Sequence, residues 1–257
     1  MNRFEGRVVC VTGAGNGIGV AIAERFARES ARVAVVDVDA AGAETTAKRL
    51  EAGYKVETIS VAEDLSVKDG AARMVESVLS EWGGIDVLVN NAGSGVIRPT
   101  LDHTDETIKA TIDRNLWTAI WCTLAVLPPM LEGGYGRVVN VGAESVRNGL
   151  YDHAIYNAAK GGVHAMCTAL AREFSPQGIT FNTVAPSIVM TDGVREKLEN
   201  ASSDPVGQSW SRAVDLIPMK RPAEMEEVAS AVAYLSSDEA AFITGQVLSV
   251  NGGSSMG

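Results

Sequence analysis

A tyrosine and a lysine lie four residues apart in a stretch with helical periodicity, at Tyr156 and Lys160. Side chains at positions i and i+4 of a helix are neighbours, so this spacing brings the phenol and the ammonium together. A tyrosine hydroxyl titrates near about 10, and a nearby positive charge lowers that pKa toward neutrality. The pair can therefore serve as a general acid and base, although the same spacing also fits an ordinary surface pair.

A glycine-rich segment from Thr12 to Gly19 follows one strand pattern and precedes a helical pattern. Glycine lets the backbone approach a ligand closely, and the N-terminus of the following helix offers unpaired N–H groups to an anion. The segment therefore predicts a binding site for a dinucleotide pyrophosphate, with a purely structural turn as the alternative. The residues expected to contact the dinucleotide here are Gly13, Gly15, Asn16, Gly17, Ile18 and Gly19.

A carboxylate ends the second strand pattern, at Asp37, which lies 18 residues after Gly19. An acid at this place hydrogen-bonds the adenosine ribose hydroxyls and repels a 2′-phosphate, which favours NAD over NADP. Asn16 agrees with this choice, because the glycine segment then carries no basic residue for a phosphate. The alternative is that Asp37 only caps the turn that contains Val38 and Asp39.

Short β-branched runs alternate with longer helical patterns along the whole chain, which predicts an α/β fold with a parallel sheet between two helical layers. We expect a single domain over residues 1–257 and a substrate lid at about 189–221, where the connection is unusually long. Strands are predicted at 7–12, 32–37, 55–60, 86–90, 137–141, 180–184 and 247–250. Helices are predicted at 17–29, 41–52, 67–82, 105–130, 155–175 and 224–236.

Charge and composition argue against several classes of partner. The 22 basic and 32 acidic residues give a net charge of −10 without a basic stripe, so nucleic acid is not expected. The widely spaced Cys10, Cys122 and Cys167 lack metal-ligand spacing, which predicts reduced thiols, no metal and a cytoplasmic location. The N-terminus does not resemble a signal peptide and no stretch holds 18 continuous apolar residues, so no membrane partner is expected.

The motifs, in their order and spacing, resemble the short-chain dehydrogenase/reductase family over essentially the whole chain. The resemblance implies a Rossmann-type, doubly wound sheet of about seven strands. It also implies a homo-oligomer, a tetramer or a dimer, whose interface uses the helices at 105–130 and 155–175. The motifs that carry it are Thr12-Gly13-x-x-x-Gly17-x-Gly19, Asp64-Leu65, Asn90-Asn91-Ala92-Gly93, Asn115-Leu116, Tyr156-x-x-x-Lys160, Ile243-Thr244-Gly245-Gln246 and Asn251-Gly252-Gly253.

The same resemblance implies roles for further residues. Asn115 would organise a water in a proton relay through Lys160 and the ribose to Tyr156. Adenine would be bordered by Asp64 and Leu65. The residues expected to line the rest of the cofactor are Asn91, Ala92, Gly93, Pro186, Val189 and Thr191. Of these, Val189 would meet the carboxamide through its backbone and Thr191 through its hydroxyl. Ser187 stands where the family commonly has glycine, a change that the fold tolerates only without positive φ.

The chain departs from the family at the serine that hydrogen-bonds the reacting oxygen. That serine lies about 13 residues before the tyrosine, where this sequence has Ala143. Losing one such donor costs about 3 kcal/mol of transition-state stabilisation. Ser145 can replace it if the loop is rebuilt; otherwise Tyr156 alone holds the oxygen, or the substrate supplies its own polar group. His153 is a candidate substrate contact in the same loop, with a solvated loop histidine as the alternative.

Other polar and aromatic residues are predicted to be structural. His103 and His164 have no partner at metal-ligand spacing. Trp117 and Trp121 lie at i and i+4 of a helical pattern, which indicates packing in the core or at a subunit contact.

These observations predict an NAD-dependent enzyme that oxidises a small, largely apolar secondary alcohol or reduces its ketone. The runs at 127–131, 158–163 and 242–250 look most similar to enzymes that oxidise cyclic diols and hydroxycyclohexane acids. The 3-oxoacyl reductases are also similar, but they typically use NADPH, which Asp37 disfavours. Two further alternatives are a catalytically weak NAD-binding protein, suggested by Ala143, and a non-redox lyase or epimerase that uses the same tyrosine.

Overall fold

Seven parallel strands form the central sheet in the order β3-β2-β1-β4-β5-β6-β7. The computed structural model describes residues 2–200 and 205–256. The strand order reverses between β1 and β4, and ligands of open α/β sheets bind at the carboxyl ends of such strands. The predicted Rossmann-type fold is confirmed. The strands are β1 Val8–Thr12, β2 Arg32–Asp37, β3 Thr58–Ala62, β4 Val87–Asn90, β5 Gly136–Val141, β6 Ile179–Pro186 and β7 Val247–Val250.

Helices cover both faces of this sheet. Side chains of α1, α2 and α10 form one core cluster with one face of the strands, and side chains of α3, α5 and α7 form another cluster with the other face. The helices are α1 Gly17–Arg28, α2 Ala40–Tyr54, α3 Lys68–Trp82, α4 Asp105–Ile112, α5 Thr118–Gly133, α6 Ser145–Asn148, α7 Ala154–Phe174, α8 Asp192–Glu199, α9 Pro205–Asp215 and α10 Met225–Ser236.

Alternation along the strands explains why both core clusters form. In β1, Val9 and Val11 pack into the first cluster, whereas Val8 and Cys10 pack into the second. A strand that is buried on both faces needs apolar residues at successive positions, which is the continuous pattern of this sequence. The three cysteines are buried free thiols.

Two predicted elements differ from the structure. The third strand begins at Thr58 rather than at residue 55, because α2 continues to Tyr54 and Lys55 ends that helix in a left-handed conformation at φ 57°. The long helix predicted at 105–130 is interrupted by the π-helical segment Asp113–Trp117, which separates α4 from α5. The short helix α6 lies in a loop for which the sequence indicated no regular structure.

The continuous helical run Asp105–Gly133 is long and apolar enough to cross a membrane by length and composition. In this fold, however, α5 packs against β4, β5 and α3, while α4 packs against α7. Its outer side carries Trp117, 40% exposed and stacked on Trp121 with ring centroids 4.9 Å apart. The run therefore serves as a core helix here, with an apolar outer side.

The buried Thr12 hydroxyl connects the end of β1 to the end of β4. It donates to the Val89 carbonyl at 3.1 Å and accepts the backbone N–H groups of Asn91 and Ala92, each at 3.0 Å. The Asn91 amide returns two hydrogen bonds, to the carbonyls of Thr12 at 2.9 Å and Gly13 at 3.0 Å. Both strand ends at the switch point are therefore held in one hydrogen-bonded unit.

Thr12→Val keeps the shape of this side chain but removes its oxygen. Because the partly buried Ala92 N–H then loses its acceptor and the Asn91 N–H keeps only the Val89 carbonyl, we expect the free energy of unfolding to fall by about 1–2 kcal/mol. Urea unfolding at fixed protein concentration measures the change. Thr45→Val is the control, since the Thr45 hydroxyl is exposed on α2 and its loss leaves stability within about 0.5 kcal/mol. Equal unfolding midpoints for both variants would contradict the structural role of Thr12.

Candidate active site

The glycine segment turns directly against the end of β4. Gly13 has φ +64°, and a Cβ on it would lie 2.7 Å from the Ala92 Cα, so a larger residue cannot occupy this position. Asn16 is the N-cap of α1, and its side chain makes no capping hydrogen bond. Gly17 and Gly19 lie in the first turn of that helix, while Ile18 packs against the core. An uncapped N-terminus behind a closely approached backbone fits a pyrophosphate.

Asp37 is buried at the end of β2, beside the glycine segment. One carboxylate oxygen accepts the Gly15 N–H at 2.8 Å, and the other accepts the Asp39 N–H at 3.0 Å. The side chain therefore does contact the turn at Asp39, as the alternative interpretation required. Each carboxylate oxygen has a second lone pair, so these contacts leave acceptors for ribose hydroxyls.

Of the two residues expected near adenine, one is a hydrogen-bonded carboxylate and the other is a buried apolar side chain. Asp64 accepts the Ser66 hydroxyl at 2.7 Å and the Ser66 N–H at 3.0 Å, and these hydrogen bonds lower the pKa of its carboxyl. Leu65 is buried in the core cluster that contains α3. A contact of either residue with adenine stays a prediction.

Asn115 projects from the π-helical segment toward the end of β4. Its Nδ2 donates to the carbonyls of Ser94 and Thr111, both at 2.9 Å. Its Oδ1 is buried and has no hydrogen-bond partner among the described residues. Single π turns inside α-helices frequently occur at functional sites. An unpartnered buried acceptor in this place indicates that a ligand or water completes its hydrogen bonding.

Lys160 is buried one helical turn after Tyr156. Its Nζ donates to the Val141 carbonyl at 2.8 Å, which connects α7 to the end of β5. A Cβ placed on Gly93 would lie 2.5 Å from Asn115 Oδ1 and 3.4 Å from Lys160 Nζ. The structure therefore brings Asn115 and Lys160 together at Gly93. Burial lowers the pKa of Lys160 to about 8.

Tyr156 lies in the first turn of α7 beside the β4–α4 loop. A Cβ on Gly95 would lie 2.5 Å from its ring, and the Lys160 Nζ is 6.0 Å from the ring centroid. Burial raises the pKa of Tyr156 to about 12. The sequence suggested that the lysine charge lowers this pKa, but in the structure the burial of the phenol is the dominant effect. A phenolate here therefore needs more positive charge than Lys160 alone provides.

Ala143, at the sequence position of the family's serine, is buried. The Ala143 N–H donates to His164 Nε2 at 3.2 Å, so the imidazole is neutral with its proton on Nδ1. Burial and the nearby Lys160 lower the pKa of His164 to about 4. His164 lies four residues after Lys160 on α7, and this contact was not predicted. The i+4 spacing from Lys160 is the signal that could have indicated it.

Ser145 begins α6 and faces α7. Its hydroxyl donates to Asn157 Oδ1 at 2.6 Å, and Asn157 Nδ2 donates back to the Ser145 carbonyl at 2.8 Å. The Ser145 hydroxyl proton is therefore already donated to Asn157. To replace the missing family serine, Ser145 would have to offer that proton to a substrate. Ser145 as the donor to the reacting oxygen stays a prediction, and it requires this pair to separate.

His153 is the N-cap of α7 and contacts Tyr156. The two ring centroids are 5.9 Å apart with the planes at 80°, an edge-on arrangement. The Nδ1 atom lies 2.6 Å from the Tyr151 carbonyl oxygen. The His153 ring thus neighbours the phenol, and its contact with substrate stays a prediction.

The segment after β6 continues along the same edge of the sheet. Pro186 ends β6, and Ser187 does not adopt positive φ, so the serine causes no backbone strain. Val189 forms an isolated parallel bridge with Ala223. The Thr191 hydroxyl accepts the Val194 N–H at 3.4 Å as the N-cap of α8, which leaves its proton for another acceptor. The helices α8 and α9 lie in the predicted lid, of which residues 201–204 are outside the described residues.

Gly142 has no room for a side chain. A Cβ there would lie 2.1 Å from His164 Nε2 and 2.7 Å from Thr183 Cγ2. We expect Gly142→Ala to lower the free energy of unfolding by about 1–3 kcal/mol, because overpacking forces neighbours to move. The same substitution in a His164→Ala background should cost less, since the nearest atom is then gone. Urea unfolding of both single variants and the double variant measures this coupling.

Gly53→Ala is the matched control, because nothing lies within 4 Å of a Cβ at Gly53 in α2. Its effect on stability should be neutral or slightly favourable. If Gly142→Ala proved as mild as Gly53→Ala, or equally costly with and without His164, the packing described here would be wrong.

Comparisons with known proteins agree with this geometry. Residues 13–255 match a family model described as enoyl-(acyl carrier protein) reductase. The 2,3-dihydroxy-2,3-dihydro-p-cumate dehydrogenase of Pseudomonas putida is 52% identical over 253 residues, which cover 98% of this chain and 96% of that protein. The 3-oxoacyl-[acyl-carrier-protein] reductase of Escherichia coli is 35% identical over 250 residues, 97% of this chain and 98% of that protein.

A solved structure of NAD⁺-bound xylitol dehydrogenase superposes with a TM-score of 0.90 at 28% identity, over 97% of this chain and 99% of that one. The family model covers nearly the whole chain, and the relatives exceed 30% identity over nearly all of it. The chain therefore belongs to the short-chain dehydrogenase/reductase family of oxidoreductases.

Proposed function

We propose that this protein is an NAD-dependent dehydrogenase that oxidises one hydroxyl of a small cyclic diol. The observation that carries the proposal is the grouping of Tyr156, Lys160 and Asn115 beside the glycine segment. Similarity to a dihydrodiol dehydrogenase over 98% of the chain supports this choice of substrate class.

The residues present fit NAD. The N-terminus of α1 has no side-chain cap, Asp37 keeps free acceptors, and the buried Asn115 Oδ1 lacks a partner among the described residues. We assign the pyrophosphate to the glycine segment and α1, the adenosine ribose to Asp37, and the carboxamide to Val189 and Thr191. Asn91 contributes by holding the glycine segment, since its Nδ2 is hydrogen-bonded to Thr12 and Gly13.

The protein's own groups handle the proton of the substrate hydroxyl. Tyr156 takes that proton as a general base, and Lys160 favours the phenolate electrostatically. One Lys160 N–H is held by Val141, so two remain for the nicotinamide ribose and for a water on Asn115 Oδ1. When bound, NAD⁺ would supply the hydride acceptor and the additional positive charge that a buried phenolate needs.

Exposed apolar side chains support a ring substrate. They come from three connections at the carboxyl edge of the sheet: the β4–α4 loop, the loop between β5 and α7, and the lid at 189–221. A rim of this kind favours a substrate that is apolar outside its hydroxyl groups. The rim residues are Ile97, Leu101, Leu150, Tyr151, Leu216 and Met219.

Assembly and location are also proposed. The exposed Trp117, Leu124 and Leu131 lie along the run that contains α5, and they support a homo-oligomer, a tetramer or a dimer. The buried free thiols support a cytoplasmic location. The net charge of −10 argues against nucleic acid or an anionic membrane surface as a partner.

Tyr156→Phe tests the chemistry. Because the phenol is the only base in this scheme, we expect kcat for alcohol oxidation to fall at least about a hundredfold. NADH absorbance with cyclic and linear secondary alcohols measures it. Wild-type oxidation should rise with pH as the phenolate fraction grows, and ketone reduction should fall over the same range. Tyr234→Phe, on α10, is the control and should retain full activity.

Three outcomes would contradict the proposal. Retained turnover in Tyr156→Phe would rule out the proposed base. NAD binding without turnover on any alcohol would favour the catalytically weak alternative. Product formation without net NADH would favour the lyase or epimerase.

Asp37 tests the cofactor. The Val38 side chain is 74% exposed, so a basic side chain at position 38 fits beside position 37. We expect Asp37→Ala combined with Val38→Arg to shift the ratio of kcat/KM for NADP⁺ over NAD⁺ upward at least about tenfold, because the repulsion is replaced by an ion pair with the 2′-phosphate. Asp39→Ala is the matched control, because it removes a neighbouring carboxylate that caps α2. An unchanged ratio in the double variant would refute the role of Asp37.

A further inference from the structure

The substrate side of Tyr156 has an unusual set of polar groups. Lys160 lies one turn after Tyr156, and its Nζ donates to the Val141 carbonyl. Ala143 has no polar side-chain atom, and the Ser145 proton is donated to Asn157. Neither residue therefore offers a free side-chain proton to the reacting oxygen, and Ala143 offers no acceptor to a second hydroxyl of a diol bound at Tyr156.

His153 lies three residues before Tyr156, whereas Lys160 lies four residues after it. Its ring meets Tyr156 edge-on, with centroids 5.9 Å apart. The Tyr151 carbonyl can only accept a hydrogen bond, so the Nδ1 atom 2.6 Å away carries the proton. In the neutral imidazole Nε2 is then an acceptor, and it forms no hydrogen bond with residues 2–200 or 205–256.

The backbone around His153 restricts the orientation of its imidazole ring. Asp152 adopts φ +65°, although it is not glycine, and such a conformation persists only where the surrounding structure enforces it. Gly149 ends α6 in a positive-φ conformation, and His153 then begins α7. The exposed Leu150 and Tyr151 between them belong to the apolar rim. The imidazole is therefore held by the Tyr151 carbonyl and the Tyr156 ring.

We propose that His153 Nε2 accepts a hydrogen bond from the second hydroxyl of a vicinal diol while Tyr156 takes the proton of the hydroxyl that is oxidised. His153 is thus a specificity-determining residue that distinguishes diols from mono-alcohols. This inference rests on the proposed dehydrogenase function and names the feature of the substrate that the site recognises.

The test compares cis-1,2-cyclohexanediol with cyclohexanol, which lacks the second hydroxyl. We expect the wild type to have the higher kcat/KM for the diol. His153→Phe keeps the aromatic contact with Tyr156 and removes both ring nitrogens. It should reduce kcat/KM for the diol about tenfold and change kcat/KM for cyclohexanol less than about threefold. His153→Gln keeps a side-chain acceptor and should recover part of the diol preference.

His103→Phe is the matched control, because among the described residues the His103 ring is hydrogen-bonded to Thr107 near the start of α4, and it should leave kcat/KM for both substrates unchanged. Equal losses for the two substrates in His153→Phe, or no loss for either, would overturn the inference and leave the dehydrogenase function standing. If wild-type protein oxidised neither compound nor any other alcohol, the proposed function itself would fail. Thermal unfolding of each variant checks that the fold is retained.

Discussion

The hydrogen bond between the buried Lys160 ammonium and the Val141 carbonyl is the constraint on which the site depends. An ammonium removed from water is costly unless its protons find acceptors, and this bond supplies one while fixing α7 against the end of β5. Tyr156, one turn earlier, is thereby placed beside the β4–α4 loop. Gly93 is the neighbour that lets Asn115 and Lys160 approach each other. The geometry of the acid–base group thus follows from one satisfied buried charge and its backbone acceptor.

A second hydrogen-bonded unit, around Thr12, positions the glycine segment proposed to bind the cofactor, just as Lys160 positions Tyr156. Its hydroxyl and the Asn91 amide join the carboxyl ends of β1 and β4, where the strand order reverses. The glycine segment is therefore attached to the sheet on both sides. Asp37 reaches it from β2 through the Gly15 N–H. The pyrophosphate site proposed at this segment then needs no basic side chain, which is consistent with the acidic composition of the chain.

Much of the fold could be predicted because its signals are local. Buried parallel strands are continuous apolar runs, and helices repeat their apolar positions, so each element was evident within its own segment. The start of β3 could not be predicted in this way, because it depends on where α2 ends. Lys55, which ends that helix, adopts a left-handed conformation that lysine rarely takes. The site was predictable where spacing alone brings residues together, as with Tyr156 and Lys160. The pairs Ser145–Asn157 and Ala143–His164 join α7 to the loop after β5, and such contacts depend on how that loop folds.

The contact between Gly142 and His164 also limits how this sequence can change over time. His164 fills the space that any side chain at position 142 would need, and its imidazole is buried and neutral against the Ala143 N–H. A lineage that loses the histidine before it acquires a larger residue at 142 avoids the clash with His164, whereas the reverse order passes through an overpacked intermediate. The order of substitutions is therefore constrained in this part of the site, and a return toward the family's serine-containing loop depends on α7 as much as on the loop itself.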